Sequence, residues 1–425
     1  MKIIKIIVLL FGIQLIFASY GLTQSDLIIS ELNFIGLEKT QDIALEWEII
    51  SKVGEPVNRI IVEEDLQTIR NMPGISKVDC SIDTLEGNLI LQFQIEERKT
   101  ALPLLNFGGI KNNTFFGIGA IDYNFRGLGD LLLVFYQNND KRHSGQIFYR
   151  KPRIKTSQWG YSFSLNKWAS IEPLFFPEGT VSYLYDNLGF GATIIYNIEN
   201  RRQLELGATF FNETYSQNEN QVLENPPGPG SLSINKFLSK IIFNKDNLDY
   251  QSFHLQGYNL SFNIQNVYNF FDSSFFNSAL FQAIYFARPW TKSNIASRVK
   301  FAISSNIYSP FAPFVADSQI NVRGIGNRID RGTAQAVINL EWRQTVYEKN
   351  NFGSQIIVFS DMGSWRHPGG SLKNLLKRNQ LRHFVGIGFR LIYQKVFGAT
   401  LRVDYGIDLY NPEQRGWVFG LGQYF

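Results

Sequence analysis

From about residue 101 to residue 425 the chain alternates apolar and polar side chains with period two and shows no sustained helical period. In 398–410, Ala399, Leu401, Val403, Tyr405, Ile407 and Leu409 fall on one face. Thr400, Arg402, Asp404, Gly406 and Asp408 fall on the other. In 382–393, His383, Val385, Ile387, Phe389, Leu391 and Tyr393 oppose Phe384, Gly386, Gly388 and Arg390. In 333–343, Ala334, Ala336, Ile338, Leu340 and Trp342 oppose Gln335, Asn339, Glu341 and Arg343. Successive strand residues point to opposite faces, so each run is a strand with one apolar and one charged side.

A soluble sandwich shows the same alternation, and composition separates the two. Aromatic residues make up 15%, with 36 Phe and 19 Tyr, while charged residues are only 18%. Mean hydropathy is nonetheless −0.12. Aromatic-rich faces with neutral overall hydropathy fit lipid-facing and water-facing residues in turn along each strand. In a bilayer every backbone polar group must be paired, so a spanning sheet has to close on itself. About 325 residues, at roughly twenty per strand and connection with 9–11 crossing each bilayer, give about sixteen antiparallel strands. The segments 219–231 and 366–378 read as long outer loops, and 126–130 as a short turn on the opposite side.

The beginning of the chain reads differently. Lys2 and Lys5 precede an apolar core at 6–17 and small residues, so 1–21 is expected to be a secretory signal peptide. Residues 25–98 then form an α+β unit of order βααββ. A strand at 27–35 is followed by a helix at about 41–51 that Thr40 caps, with Ile43, Trp47 and Ile50 at helical spacing. A second helix at about 62–71 stops at Pro73-Gly74. Strands at 76–83 and 88–95 join through a turn at Glu86-Gly87. The net charge of +4 is too small to argue for nucleic acid. Cys80 is the only cysteine, which excludes a disulfide framework and a cysteine zinc site. His143, His254, His367 and His383 are scattered, and no Gly-x-Ser-x-Gly elbow is found, so neither catalytic chemistry nor a cofactor is expected.

The first unit resembles a POTRA domain. The matching residues are Phe34-Ile35-Gly36-Leu37-Glu38-Lys39-Thr40, Glu48, Gly54-Glu55-Pro56-Val57, 71–78 and Ile95-Glu96-Glu97-Arg98. Val322-Arg323-Gly324, late in a non-periodic stretch, resembles the tip of the sixth loop of the BamA/TamA-like superfamily of outer-membrane barrels. Phe359-Ser360-Asp361-Met362-Gly363 resembles that family's partner motif on the inner wall, and 124–130 its first periplasmic turn. The resemblance implies a POTRA module in the periplasm and a barrel in the outer membrane of a Gram-negative bacterium. Its partners would be outer-membrane lipid and unfolded outer-membrane or secreted proteins, with periplasmic chaperones or accessory lipoproteins in support. The implied activity is insertion or translocation of proteins; a dedicated two-partner-type exporter and a passive pore stand as alternatives.

The residues themselves support such a lock. A guanidinium held away from water needs a carboxylate in fork geometry, which Arg supplies better than Lys. Arg323 is therefore expected to meet Asp361, with Glu341 as a second inward acceptor and Gly324 allowing the sharp tip. Ile325 stands where the family has an aromatic, which weakens the expected stacking. Closure requires the first strand, with Gly108 and Gly109, to meet the last at 416–425. There Trp417, Phe419, Leu421 and Phe425 are expected on one face, and Gly420 and Gly422 on the other. Glycine within a strand weakens it, so the resemblance to a family whose seam opens sideways falls on these residues.

Overall fold

The computed structural model describes residues 27–85, 88–110, 113–139, 142–198, 201–217, 227–251, 253–326 and 330–425. The expected signal peptide, the Glu86-Gly87 turn and most of the 219–231 loop lie outside them.

The N-terminal unit has the expected order: β1 (Ile29–Ile35), α1 (Asp42–Glu48), α2 (Arg59–Arg70), β2 (Ile75–Leu85) and β3 (Asn88–Glu97). The sheet order is β1-β3-β2, with β1 parallel and β2 antiparallel to β3. Its core joins Ile29, Leu45, Ile49, Val62, Ile69, Leu89, Leu91 and Phe93. The helices differ from expectation. Asn58, not a residue nearer 62, starts α2, its side chain accepting from Ile60 N–H at 2.9 Å. The short α1 buries Ala44 and Leu45 and leaves Ile43 exposed, and it ends at Glu48, before the exposed Ile50. Thr40 caps nothing: Gln41 is the N-cap without a side-chain bond. Thr40 Oγ1 instead accepts from Asn124 Nδ2 at 2.9 Å, in the first barrel turn. Burial first, then Asp65, Glu63 and Asp83, push the Cys80 thiol up to about 11, so it stays protonated.

Sixteen strands form the barrel. The first four are β4 (Ala101–Ile110), β5 (Asn113–Asp122), β6 (Leu131–Asn139) and β7 (Arg142–Lys151). The tall strands β8 (Trp159–Phe176), β9 (Gly179–Ile198), β10 (Arg202–Gln217) and β11 (Ser231–Asp246) follow. Then come β12 (His254–Asn269), β13 (Ser274–Trp290), β14 (Ser293–Ser304) and β15 (Ala334–Lys349). The last are β16 (Phe352–Arg366), β17 (Arg382–Tyr393), β18 (Thr400–Asp408) and β19 (Arg415–Leu421). Successive strands pair antiparallel from β4 round to β19, and the nearly closed ring returns from β19 to β4. The period-two reading therefore holds, with 334–349, 382–393 and 400–408 as strands and about sixteen expected strands found as sixteen.

The barrel is inverted relative to a soluble domain. Along β18, Thr400, Arg402, Asp404 and Asp408 are buried while Leu401 is exposed. Ile387 and Trp417 are more than 60% exposed, whereas Arg323, Arg343 and Arg390 are among the most buried side chains. Only a bilayer makes that distribution favourable. No described helix is long and apolar enough to cross a membrane.

The last strand departs from expectation. Trp417 and Phe419 face outward, but β19 ends at Leu421. Gly422 takes φ +83, a conformation that favours glycine. The chain then turns inward, burying Tyr424, whose hydroxyl donates to Ser318 O at 3.0 Å. Phe425 thus leaves the outer face and lies against Phe286 and the Arg298 and Arg343 guanidiniums. Cationic and aromatic partners within the lumen reward this turn, and no period-two argument could count them. At the other side of the seam, Gly108 and Gly109 lie in β4, opposite Phe115 and Thr114 of β5.

Candidate functional site

Between β14 and β15 a loop of some thirty residues folds back into the lumen. It has one short pairing of its own, Phe314–Ala316 with Asp330–Gly332. At its tip Arg323 is fully buried. Its Nε donates to Asp361 Oδ2 at 2.8 Å and its Nη2 to Asp361 Oδ1 at 3.0 Å, which is the expected fork. The Arg323 backbone N–H donates to the same carboxylate at 3.0 Å, and Nη1 to Glu341 Oε2 at 2.6 Å. The acids come from neighbouring strands: Asn339 pairs with Asp361, and Glu341 with Phe359, across β15 and β16.

The pair belongs to a larger balanced set. Arg343 Nε donates to Glu341 Oε1 at 2.6 Å, and Arg390 forks onto Asp404 at 2.7 and 3.2 Å. Asp404 lies 3.7 Å from Arg323, and Arg390 lies 3.8 Å from Glu341. Three arginines thus face three carboxylates, all with side chains 0–2% exposed. Charges buried this far from water persist only when paired and hydrogen-bonded. Arg390 and Arg402 sit directly opposite each other on β17 and β18, a repulsive cross-strand position that Asp404 offsets.

Stacking is stronger than Ile325 suggests. The Arg323 guanidinium lies 3.7 Å from the Phe359 ring centroid and 4.4 Å from that of Tyr424. The aromatics come from the wall and from the inward-turned chain end instead of from the loop. Ile325 joins Val322, Val337, Trp365 and Phe384 in an apolar cluster beneath the tip. Gly324 has φ +90, and a Cβ there would meet Phe384 Cδ1 at 2.8 Å and Gly406 O at 2.9 Å. Asn339 Nδ2 donates to Asn321 O, and Ser318 Oγ both accepts from Gly326 N–H and donates to Gly326 O. Gly420 leaves room for a guanidinium: a Cβ there would run into Arg402 Nη2.

A second anchor has no signature in the sequence. Arg331 Nε donates to Glu172 Oε2 on β8 at 2.7 Å, and Nη1 to Ala312 O at 3.0 Å. Ser170 Oγ donates to Glu172 Oε1, and Phe311 stacks on Tyr185 and meets Tyr215 edge-on. The inward loop is therefore held both at its tip and near the barrel rim.

The N-terminal unit sits across the opposite mouth. Besides Thr40 and Asn124, Gln41 N–H donates to Gly127 O, and Lys39 pairs with Asp122 at 2.8 Å. Arg153 reaches Glu48 in the second turn, and Arg201 reaches Thr68 in the third. Asn71 bonds Leu248 O and Tyr250 N–H, while Arg70 pairs with Asp249. Arg98 donates to Pro73 O and lies over Phe397; burial holds its pKa down at about 10.

A sixteen-stranded barrel with a loop pinned inside by a buried arginine fork defines an outer-membrane assembly or translocation barrel. Residues 124–425 match the Omp85 superfamily domain, and the chain belongs to that superfamily. It is located at the outer membrane and serves insertion or translocation of proteins there. Among solved structures it resembles BamA from Haemophilus ducreyi lacking POTRA domains 1–3, with 14% identity and TM-score 0.53 over 93% of this chain and 83% of that one. It also resembles CdiB from Acinetobacter baumannii (15%, TM-score 0.56, covering 93% and 73%). CdiB from Escherichia coli is a further match (9%, TM-score 0.60, covering 93% and 76%). No curated protein matches the chain.

Proposed function

We propose that this chain is a non-enzymatic insertase for outer-membrane proteins, delivered by a cleaved leader, whose N-terminal unit is a single periplasmic POTRA module. The observation that carries the reading is the doubly anchored loop. It is held inside the barrel by the Arg323 fork and by Arg331 on Glu172, and the N-terminal unit contacts four successive turns and the linker-side turn at the other end. A passive pore has no use for either. An exporter of one secreted protein would have to release both the Arg323 fork and the Arg331–Glu172 contact to pass its cargo.

Insertion at the seam leaves both in place. There β19 has seven residues against ten in β4, so the last strand offers a shorter partner than the first can accept. Unmet backbone donors and acceptors at a membrane-embedded edge favour strand addition by an incoming chain. Clients would be unfolded outer-membrane proteins, brought by periplasmic chaperones or accessory lipoproteins docked on the POTRA module.

Depletion of the protein followed by outer-membrane proteomics tests this. Loss of many barrels supports insertion, whereas loss of a single secreted protein supports the dedicated exporter. A cysteine pair joining β4 to β19 in a Cys80→Ser background tests the route: crosslinking that leaves assembly intact removes the seam from the mechanism.

A further inference from the structure

One exposed segment belongs to neither the wall nor the pinned loop. Between β16 and β17 the chain makes two 3-10 turns, Leu372–Leu376 and Arg378–Gln380. Leu376 is 90% exposed, and Leu372 47%. Lys373, Lys377 and Arg378 are exposed beside them, and Arg382 is half-buried. The nearby acids are engaged elsewhere. Asp330 accepts from His367 at 2.7 Å, and Asp408 Oδ1 accepts the Tyr410 and Asn411 backbone N–H groups. Glu413, exposed in the next turn, is the remaining negative neighbour in sequence.

The height of this segment follows from the strand below it. Val385, Ile387, Phe389, Leu391 and Tyr393 form the outward face of β17, nine residues from first to last, which is one hydrocarbon crossing. Arg382 continues the inward-facing series of Phe384 and Arg390, so the outward charges at this height are those of the loop itself, Lys373, Lys377 and Arg378. Just past the end of β18, Leu409 and Tyr410 are about half exposed, as expected at an interface. Arg415 is exposed on the outward side of β19, opposite Ile407. The Arg378 guanidinium lies over the Tyr410 ring at 5.0 Å, and a recess of about 450 Å³ between them is lined by Leu381, Arg382, Asp408 and Gln414.

We propose that this leucine-tipped basic loop, with Arg415, binds the headgroup of a phosphate-bearing lipid in the outer leaflet beside β17–β19. Guanidiniums match phosphate in fork geometry. Leu372 and Leu376, exposed to water to no advantage, gain by entering the acyl boundary, as apolar residues of interfacial segments do. The surface adjoins the last strands of the barrel, so a bound anionic lipid would set the composition of the bilayer next to the seam. The inference rests on placing this end of the barrel at the outer leaflet, as the periplasmic POTRA reading requires.

The test uses the full chain in phosphatidylcholine nanodiscs with and without diphosphorylated lipid A, counting retained lipids by native mass spectrometry. Wild type should retain lipid A over phosphatidylcholine. The K373Q/K377Q/R378Q variant should lose that retention by roughly tenfold or more, the factor expected when a charge-assisted contact is removed. Leu376→Ser, which leaves every charge in place, should weaken retention by a smaller factor and keep its salt sensitivity. Equal retention by wild type and the charge variant overturns the proposal, as does displacement of lipid A by inorganic phosphate alone. Nanodiscs expose both faces, so this readout is independent of orientation. Labelling of a Ser371→Cys, Cys80→Ser variant by an impermeant maleimide on intact cells tests the orientation separately.

Discussion

Arg323 and Asp361 meet in a fork of 2.8 and 3.0 Å, and the same carboxylate takes the arginine's own backbone N–H. One side chain of the wall thus fixes both the guanidinium and the backbone of the loop tip. A lysine could supply the charge but not the two parallel bonds, and it would leave Glu341 Oε2 without its 2.6 Å partner while Arg343 stays on Oε1.

Gly324 is expected to be intolerant of any side chain. Its φ is +90, and a methyl at this position would lie 2.9 Å from the Gly406 backbone carbonyl, which leaves no room for relaxation. Gly324→Ala should cost roughly 1–3 kcal/mol by overpacking, added to the cost of the left-handed backbone. Gly398→Ala, at φ +70 with nothing within 4 Å, carries the backbone cost alone. Thermal unfolding of the two variants in detergent should rank Gly324→Ala well below Gly398→Ala.

The rim anchor should be separable from the tip. In a double-mutant cycle, Arg331→Gln and Glu172→Gln should show a coupling of about 0.5–3 kcal/mol, the range for residues in direct contact. Each single variant should expose the loop at 305–333 to limited proteolysis while the Arg323 network still resists heat. Loop protection equal to wild type would remove the anchor from the account.

His367 lies outside the strands, and its hydrogen bond to Asp330, followed by that residue's charge, raises its pKa against the opposing effects of burial and Arg382. A raised folded-state pKa contributes stability that is fully present below the ordinary value of about 6.5 and is lost as pH rises through the folded pKa. The histidine ring resonance should therefore titrate above the free-histidine value and return towards it in Asp330→Asn. Identical midpoints in the two proteins would contradict the contact.

Docking of the N-terminal unit depends on Asn71, which accepts from one backbone group of the 248–250 turn and donates to another. Asn71→Ala should raise amide hydrogen exchange at 247–251 and leave the barrel's unfolding temperature unchanged. A fall in that temperature would mean that the unit helps hold the barrel together.

Much of this architecture was legible because period two is a strong signal when both faces are uniform. The faces of 382–393 and 398–410 carried the inward and outward sides directly, while the strand count came from chain length at roughly twenty residues per strand and connection. The fork was legible because Arg323 and Asp361 lie in short motifs with a recognisable resemblance. Other features depend on contacts that no spacing encodes. Glu172 meets Arg331 across 159 residues. Tyr424 and Phe425 turn inward because cations wait there, although alternation assigns Phe425 to the lipid face. Ile43 and Ile50 have helical spacing, but the helix ends at Glu48 before it reaches Ile50, and Thr40 serves the barrel turn instead of the cap.

The most direct measurement is the temperature at which the detergent-solubilised barrel loses its compact gel mobility, taken for wild type, Arg323→Ala, Asp361→Ala and Arg323→Lys. Stranding one charge of a buried pair costs roughly 3–5 kcal/mol, so both alanine variants should unfold well below wild type. Lysine should recover only part of the difference. If all four lose compact mobility at the same temperature, Arg323 does not hold the loop, and the account of the lumen is wrong.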